Sequence, residues 1–454
     1  MKTIRLLVLT WFILAFGVDE GKSQRVDPSL RNSDFTFALG GDALITRKLS
    51  VYKEPKFLEL IELIRGADAA FVNLEMLFHD YEPYPMHQSG GTWTRADPAL
   101  IHDFVWAGFD MVSRANNHTG DYGVEGMRLT TRYVKEAGLV HAGVGESLAE
   151  AREAKFLETA KGRVALISMA STFPDHSRAG RTRGDTKPRP GLNPLRYSTV
   201  ETVTSDQFSE FQAVLEDLDI RFTNPSEDQL RVFGSTFAIG DQRTVVTTPD
   251  PVDLEEIAAV VRNAKRLADH VIVTIHAHES GDARSEPAGF LPIFARAMVD
   301  AGATMFVGHG PHVLRGIEIY KDKPIFYSLG DFVFQNETLD RLPDENYRAL
   351  GLASDNHVAD FNDARYNMGT TGFPANREIW EAVVAMPRFR DGKLMEVMLQ
   401  PIDLGFGTEA WERGRPFIAE GELANKILDD LIQRSEPFGT HIEIRNGVGF
   451  IRIR

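Results

Sequence analysis

The strongest constraint on the fold is an alternation, from Asp34 onward, of short β-branched or aromatic runs with longer stretches of helical periodicity. The runs predict strands at Phe35–Leu39, Ala69–Asn73, Asp110–Ser113, Val140–Ala142, Val164–Ser168, Val271–His276, Met305–Val307 and Ile325–Ser328. The stretches between them predict helices at Pro55–Arg65, Pro98–Ala107, Gly126–Ala137, Asp253–Ala268 and Pro292–Ala301. Strand alternating with helix is typical of a layered α/β protein. In such proteins ligands bind beyond the carboxyl ends of strands, so polar residues that follow each run are the first candidates for chemistry.

Composition excludes several classes of protein and of site. With 43% apolar and 25% charged residues, the 454-residue chain has the composition of a folded globular protein rather than a disordered, collagenous or coiled-coil one. Because it contains no cysteine, thiolate metal sites, disulfides and cysteine nucleophiles are excluded, and any metal must be held by nitrogen and oxygen. The net charge of −15 disfavours binding to phosphate backbones, so we expect no nucleic-acid partner.

Residues 1–23 have the pattern of a secretory signal peptide. Lys2 and Arg5 precede the apolar run Leu6–Val18, which is shorter than the roughly 20 residues of a membrane-spanning helix. The alternatives are a short uncleaved N-terminal anchor and a buried core helix. We therefore expect an extracytoplasmic protein that is secreted, periplasmic or membrane-anchored facing outward.

The remaining chain predicts one main domain with two insertions. Its parts are a domain over 34–335, a Gly-, Pro- and Arg-rich cap inserted at about 176–250, a polar insertion at 336–376, and C-terminal strands and a helix over 377–454 that complete the domain. The insertion at 336–376 is expected to be a long surface excursion over the site or a mobile loop.

Three early strand ends each carry residues able to bind a metal. Gly40 and Gly41 predict a turn that exposes the carboxylate of Asp42, and Glu75 follows the second run directly. The third run leads into an Asn-Asn-His sequence at 116–118. Taken singly, each has an ordinary alternative as a turn, a helix-start carboxylate or a loop.

Two later strand ends carry pairs of histidines. His276 and His278 are two residues apart, so in an extended segment both side chains face one side. His309 and His312 flank Gly310 and Pro311 in a tight loop. A histidine doublet shaped by glycine and proline indicates a ligand pair more specifically than a lone histidine does.

Together these strand ends offer carboxylate, amide and imidazole ligands, with His118 and His278 nearby: Asp42, Glu75, Asn117, His276, His309 and His312. Such mixed ligands suit Mn, Fe(II), Zn or Co. Six ligands exceed one tetrahedral site, which favours two divalent ions about 3.5–4 Å apart, bridged by a carboxylate and able to activate a water.

The ordered motifs resemble those of the CapA / PgsA family, the bacterial capsule-synthesis proteins associated with poly-γ-glutamate. They run from about Phe35 to Phe334 and are Gly41-Asp42-(x4)-Arg47, Asn73-Leu74-Glu75, Ala115-Asn116-Asn117-His118-(x2)-Asp121-Tyr122-Gly123, Gly308-His309-x-Pro311-His312-Val313-Leu314 and Tyr327-Ser328-Leu329-Gly330-Asp331-Phe332-Val333-Phe334. The family shares the calcineurin-like metallophosphoesterase fold, so the resemblance implies a four-layer αββα sandwich with an inserted cap.

The resemblance also implies roles for individual residues. Asp42 and His312 would hold one ion, Glu75 would bridge, and the second ion would be held by Asn117, His276 and His309. His118 would be the general acid and Asp121 a second catalytic residue. Arg47 would face the substrate. Apart from the resemblance, Asn116, His278, Arg181 and Arg183 are further candidate substrate-binding residues.

Three positions depart from the family pattern. Leu44 stands where a metallophosphoesterase usually has a histidine ligand, His278 replaces a different family residue, and Asp331 replaces an asparagine. The cap arginines, including Arg181 and Arg183, form a basic run that either attracts an anionic substrate or is a solvated loop.

The sequence thus predicts a metal-dependent hydrolase or transferase of capsule or poly-γ-glutamate synthesis, acting on an anionic polymer or peptide-like substrate. Two alternatives stay open. One is a non-catalytic polymer-binding or assembly component beside membrane-bound capsule synthase proteins, and the other is a generic metallophosphoesterase. Fold similarity alone does not decide between them.

Overall fold

The computed structural model describes residues 34–453, so the predicted signal at 1–23 lies outside the described residues. Within this range no helix combines the length and the apolar character needed to cross a membrane. Eleven α-helices of the described range are α1 (Pro55–Arg65), α2 (Ile101–Ala107), α3 (Gly123–Glu136), α4 (Leu148–Arg152), α5 (Ser205–Asp217), α6 (Pro251–Lys265), α7 (Phe290–Ala301), α8 (Asp344–Ala349), α9 (Val358–Arg365), α10 (Gly372–Ala375) and α11 (Gly421–Ser435).

The strands alternate with these helices. In the first part of the chain they are β1 (Phe35–Leu44), β2 (Ala69–Leu74), β3 (Leu77–Phe78), β4 (Arg95–Ala96), β5 (Met111–Ser113), β6 (Val140–Ala142), β7 (Val144–Gly145), β8 (Lys155–Glu158), β9 (Arg163–Ala170) and β10 (Gly191–Leu192). The middle part has β11 (Tyr197–Val203), β12 (Thr223–Ser226), β13 (Gln229–Val232), β14 (Ser235–Ile239) and β15 (Thr244–Pro249). The last part has β16 (His270–His276), β17 (Met305–His309), β18 (Leu314–Tyr320), β19 (Lys323–Leu329), β20 (Asp331–Phe334), β21 (Glu381–Arg390), β22 (Lys393–Asp403), β23 (Phe417–Ile418), β24 (Glu443–Arg445) and β25 (Val448–Arg452).

Two large sheets form the body of the protein. The first has the order β24-β25-β22-β21-β1-β2-β5-β6, with β20 also paired to β1 and β23 to β22. The second has the order β18-β19-β17-β16-β9-β8. In both sheets the central strands are parallel: β2 lies beside β1, and β16 lies between β9 and β17. The predicted α/β class is confirmed.

The two sheets pack against each other. Alternate residues of β1 face opposite ways, as a pleated strand requires. Phe37 belongs to the apolar cluster that contains Ile272 and Val307 of the second sheet, whereas Ala38 belongs to the cluster that contains the buried apolar residues of α1 and α2. Helices α1 and α2 pack on the first sheet, and α6 and α7 pack on the second.

Helix α1 shows how the sequence determines one of these layers. Pro55 occupies its first turn, where a missing N–H costs no hydrogen bond, and the helix ends before Gly66. Its buried face repeats every three or four residues and consists of Phe57, Leu60, Ile61 and Ile64. Each such side chain stabilises the fold by about 1.5–3 kcal/mol on burial. The predicted span, Pro55–Arg65, is confirmed.

The two predicted insertions are folded segments. Residues 197–249 form a five-stranded sheet in the order β12-β13-β14-β11-β15, and α5 covers it with its own apolar cluster of Phe208, Leu215, Leu230 and Val232. Residues 336–376 contain α8, α9 and α10. Neither finding tests the domain boundaries, which stay a prediction.

One local expectation is wrong. Gly40 and Gly41 were expected to end the first strand in a turn, but β1 continues to Leu44 and its register shifts between Leu39 and Asp42. The cause is a close approach of backbone, since a Cβ on Gly41 would lie 1.8 Å from the carbonyl oxygen of Gly330. The glycine therefore lets two strands meet beside Asp42.

Candidate metal centre

Asp42 lies at the bulge of β1, where three strands of the first sheet meet. Its Cα pairs with that of Asn73 on β2 and with that of Asp331 on β20. The side chain is fully buried, which is costly for a carboxylate unless partners surround it. Oδ1 accepts a hydrogen bond of 2.7 Å from Nδ2 of Asn73, and Oδ2 accepts one of 2.7 Å from the backbone N–H of Gly310.

His276 and His309 come from the second sheet and face Asp42. They are paired residues at the ends of the parallel strands β16 and β17, so both imidazoles emerge at the same edge. Their Nδ1 atoms are 3.2 Å apart, and each lies 3.6 Å from Oδ1 of Asp42. The hydroxyl of Thr274 lies 2.7 Å from Nε2 of His309, and this contact keeps Nδ1 of that ring turned towards the aspartate.

His312 is held by Asp331. Nδ1 of His312 lies 2.8 Å from Oδ1 of Asp331, which leaves Nε2 facing Glu75 at 3.8 Å from Oε1. The backbone of His312 has a φ of 56°, an uncommon value for a residue with a side chain and one found often at functional sites. A carboxylate that orients a histidine is a recurrent second layer around metal ligands.

Glu75 has no hydrogen-bond partner although it is fully buried. Neither Oε1 nor Oε2 has a partner among the described residues, and the side chain is inaccessible to solvent. Oε1 lies 3.6 Å from Nε2 of His276 and 3.9 Å from Nε2 of His118. A buried carboxylate without a donor carries a large desolvation cost, and a cation is the partner that would remove it.

The surroundings shift the protonation of these groups in opposite directions. Burial raises the pKa of Glu75 well above its usual range, and the charges of Asp42 and Asp331 add to the effect. Burial also raises the pKa of Asp331 to about 6, against the opposing influence of His312. Burial alone would raise the pKa of Asp42, but the hydrogen bond and charge of His276 lower it overall. Asp42 and Glu75 lie so close together that ionisation of both carboxylates is disfavoured unless positive charge is present.

Three of the four imidazoles are favoured in the neutral form that binds metal, and His312 is the exception. Burial lowers the pKa of His309 to about 3 and lowers that of His276. Burial and the neighbouring His276 and His312 hold the pKa of His278 well below its usual range. Burial alone would lower the pKa of His312, but Asp331 raises it. Metal ions bind the neutral form of imidazole, so low pKa values favour occupancy.

Three overlapping groups have donor atoms within 4.8 Å of one another: Asp42, His276 and His309; Glu75, His276 and His278; and Asp42, Glu75 and His312. His276 belongs to two groups, as do Asp42 and Glu75. Because all donors are nitrogen or oxygen, the set fits a borderline divalent ion. The three groups contain five of the six predicted ligands, join His309 to Asp42 and add His278.

The turn at Asn117–Gly120 brings His118 to the edge of this cluster. The side chain of Asn116 caps the turn: its Oδ1 accepts from the backbone N–H of His118, and its Nδ2 donates to the carbonyl of Leu74. Asn117 donates through Nδ2 to the carbonyl of Gly90 and leaves its buried Oδ1 without a partner. An amide oxygen in that state is available as a further ligand.

Asp121 fixes the orientation of His118. Its Oδ2 lies 2.7 Å from Nδ1 of His118, and it accepts backbone hydrogen bonds from Gly90 and Thr94, both of 2.9 Å. These contacts aim Nε2 of His118 towards the cluster. Asp121 therefore positions His118.

Three predicted substrate residues are engaged elsewhere. Arg47 donates from both terminal nitrogens to the backbone carbonyls of Trp411 and Arg413. Arg181 pairs with Glu256 at 2.7 Å and Arg183 with Asp185 at 2.9 Å. Within residues 34–453, none of the three arginines has a hydrogen bond or ion pair to the cluster. Their predicted role in substrate binding stays untested.

Sequence reasoning missed Asn73 and Thr274 and left the role of Asp331 open. Asn73 is fully buried, and its Nδ2 lies 2.7 Å from Asp42 and 3.2 Å from Nδ1 of His276. The alternation of β16 offered a signal for Thr274, because residues 274, 276 and 278 of an extended segment face one side. No comparable local signal identified Asn73.

The protein thus has an α/β fold and a buried cluster of carboxylates and imidazoles, drawn from two sheets, that could hold a metal ion. Residues 36–336 match the family model described as "Bacterial capsule synthesis protein PGA_cap". This match covers more than half of the chain, and the protein therefore belongs to that family of bacterial capsule synthesis proteins.

Individual relatives agree with the family. The uncharacterized protein y4sH of Sinorhizobium fredii (strain NBRC 101917 / NGR234) is 39% identical over 437 residues, which are 92% of this chain and 93% of that protein. The PGA biosynthesis protein CapA of Bacillus subtilis (strain 168) is 30% identical over 294 residues, which are 62% of this chain and 60% of that one. The capsule biosynthesis protein CapA of Bacillus anthracis is 30% identical over 50% of this chain and 41% of that one. The predicted resemblance is confirmed.

Proposed function

We propose that the protein is an extracytoplasmic, metal-dependent hydrolase or transferase of capsule or poly-γ-glutamate synthesis. Its substrate would be an anionic polymer or a peptide-like molecule, and its αββα body would be of the metallophosphoesterase type. The observation that carries the proposal is the placement of His118 at 3.9 Å from the unpartnered, buried Glu75. A structural cation needs ligands but no additional oriented imidazole beside them.

The metal would be held by Asp42, Glu75, His276, His309 and His312, with His278 and the amide oxygen of Asn117 as further donors. Two divalent ions, of Mn, Fe, Zn or Co, agree with the number and type of these groups. When bound, such ions supply Lewis-acid polarisation and a nucleophilic water at neutral pH. The residues of the chain orient the metal ligands, and His118 supplies a proton.

The protein's own contribution begins with Asp121. By accepting from Nδ1 of His118, it holds the ring with Nε2 directed at the site. Nε2 can then give a proton to the leaving group as the bond breaks, which is the role of a general acid. Thr274 and Asp331 keep His309 and His312 in fixed orientations, so the ligands need little rearrangement on binding.

A second candidate function is a non-catalytic component that binds or assembles the polymer beside membrane-bound capsule synthase proteins. Leu44 favours it, because this residue is buried in the apolar core and offers no donor near Asp42. A site that binds one ion weakly would then only stabilise the fold.

Metal content per chain separates the two functions. We would measure it by elemental analysis on the purified protein and on the His309→Ala and Asp42→Ala variants, together with hydrolysis of phosphoester and γ-glutamyl substrates. Two equivalents, partly lost in each variant, with metal-dependent turnover would support the enzyme. One equivalent or none, with an intact fold and no turnover, would support the assembly component.

A further inference from the structure

The insertion at 336–376 packs directly on the candidate metal centre. The ring of Phe373 lies 5.6 Å from that of His312, edge to face, and 5.1 Å from that of Phe334. Its backbone carbonyl accepts a hydrogen bond of 3.0 Å from the indole of Trp380. Phe373 is only half-buried, so it forms an accessible wall beside a metal ligand.

The same insertion also reaches the loop that supports His118. The guanidinium of Arg365 lies over the rings of Tyr366, Phe361 and Phe373, at 5.2, 5.6 and 5.9 Å. It also donates to the hydroxyl of Thr92. Residues Gly90 and Thr94, on either side of Thr92, donate their backbone N–H groups to Asp121. One segment therefore contacts both the His312 side and the His118 side of the cluster.

A second arginine, Arg284, lies near Phe373 and comes from outside the insertion. Arg284 follows β16 in the loop after His278, and its guanidinium lies 5.9 Å from the ring of Phe373. The loop is fixed by Arg315, whose fully buried side chain donates to the carbonyls of Arg284 and Glu279 at 3.1 Å and 2.8 Å.

The guanidinium of Arg284 is free to bind. Among residues 34–453 it has no hydrogen bond or ion pair, although the charges of Asp331 and Glu378 act on it. A guanidinium offers five donors in a planar fork that matches a carboxylate or a phosphate. Arg284 is exposed, so an anion can reach its guanidinium from solvent at the edge of the proposed metal site.

We propose that Arg284 and Arg365, both placed against Phe373, form an anion-binding site that holds a carboxylate or phosphate group of the substrate next to the metal centre. This inference rests on the proposed function and names the feature of the substrate that the site recognises. It also gives the 336–376 insertion a role, because Arg365 and Phe373 both belong to it. A polymer of γ-linked glutamate presents carboxylates, whereas a phosphoester presents the alternative anion.

Direct binding to the metal-loaded full chain tests the site without requiring turnover. The probes are a γ-linked glutamate hexamer and inorganic phosphate, measured by titration calorimetry at low salt with metal content determined on the same samples. The variants are Arg284→Ala and Arg365→Ala. The matched control is Arg348→Ala, because Arg348 lies in the same insertion, is exposed and pairs only with Asp344 among the described residues.

We expect each of the two variants to bind at least one probe about 10-fold or more weakly, the scale for loss of a charged hydrogen bond. Metal content and the behaviour of Arg348→Ala should not change. A loss confined to the hexamer identifies polymer carboxylates, and a loss confined to phosphate identifies a phosphate group. Unchanged affinity in both variants would overturn the inference, as would loss of affinity in proportion to lost metal. Absence of turnover with a normal binding loss would refute the hydrolase while leaving the anion site intact.

Discussion

Nδ1 of His118 lies 2.7 Å from Oδ2 of Asp121, and the two residues form a unit at the edge of the candidate metal centre. The aspartate is in turn held by two backbone N–H groups, so the ring has one preferred orientation. The other ring nitrogen, Nε2, is thereby directed towards Glu75, whose Oε1 lies 3.9 Å away.

Replacing His118 tests its role as a proton donor. His118→Ala should lower turnover by about 100-fold or more, since general acid catalysis contributes on that scale, while metal content stays at the wild-type level. The measurement is kcat on a substrate that the wild type hydrolyses, beside elemental analysis. His102→Ala is the control, because His102 is exposed on α2. Loss of metal together with activity would make His118 a ligand instead.

Replacing Glu75 tests whether a bound cation offsets the desolvation cost of its buried carboxylate. In metal-free protein, Glu75→Gln should be at least as stable as wild type, because it removes a buried carboxylate with no partner. Added divalent metal should raise the Tm of the wild type, by a free energy of about 2.7 kcal/mol at 100 times Kd, but should raise that of the variant much less. Thermal unfolding with and without metal measures both effects. An equal metal-induced rise in Tm would show that Glu75 is not a ligand.

His270 makes stability depend on pH, and it lies outside the candidate metal centre. It lies among Phe35, Phe37 and Phe389, and burial lowers its pKa to about 4. The unfolded chain takes up the proton near pH 6.5 and the folded chain only near pH 4, so folding stability decreases as the pH falls through this window.

The His270→Leu variant should lose less stability than wild type between pH 7.5 and pH 5, by about 2 kcal/mol. Urea unfolding at both pH values, in EDTA to exclude metal effects, gives this difference. Exposed His102→Leu serves as the control and should behave as wild type. The same pH dependence in the wild type and in His270→Leu would contradict the assignment.

Gly41 tests the close approach of the two strands at Asp42. A Cβ at this position would lie 1.8 Å from the carbonyl oxygen of Gly330, so Gly41→Ala must displace backbone and should cost about 3 kcal/mol or more. It should also reduce metal binding, because Asp42 follows directly. Gly184→Ala is the matched control, since no atom beyond its chain neighbours lies within 4 Å of the added methyl group. Equal unfolding midpoints for the two variants would refute this explanation.

Local periodicity was enough to predict most elements of the fold. The span of α1 was predicted to the residue, and β6 likewise, because each is bounded by signals within a few residues. The end of β1 was not predictable in this way, since the need for Gly41 arises from Gly330, a residue distant in sequence. The convergence of strand ends followed from the parallel arrangement, which brings their carboxyl ends to one edge.

The orienting residues of the site were harder to predict than its donors. Aspartate and histidine at strand ends indicate metal binding by their residue type alone. The roles of Thr274 and Asn73 are evident only from the residues that they contact. Arg284 illustrates the same limit, because its relation to Phe373 depends on the packing of a loop against a distant insertion.

The two halves of the cluster come from different sheets, with Asp42 and Glu75 on the first and His276 and His309 on the second. An ion held by both halves is a cross-link between the two layers, made by coordination in a chain that has no cysteine to make one by oxidation. Such a cross-link is reversible and forms only when the two sheets are packed together. Binding of the ion would therefore be a late step of folding, and a chelator would weaken the packing between the sheets before either sheet unfolded.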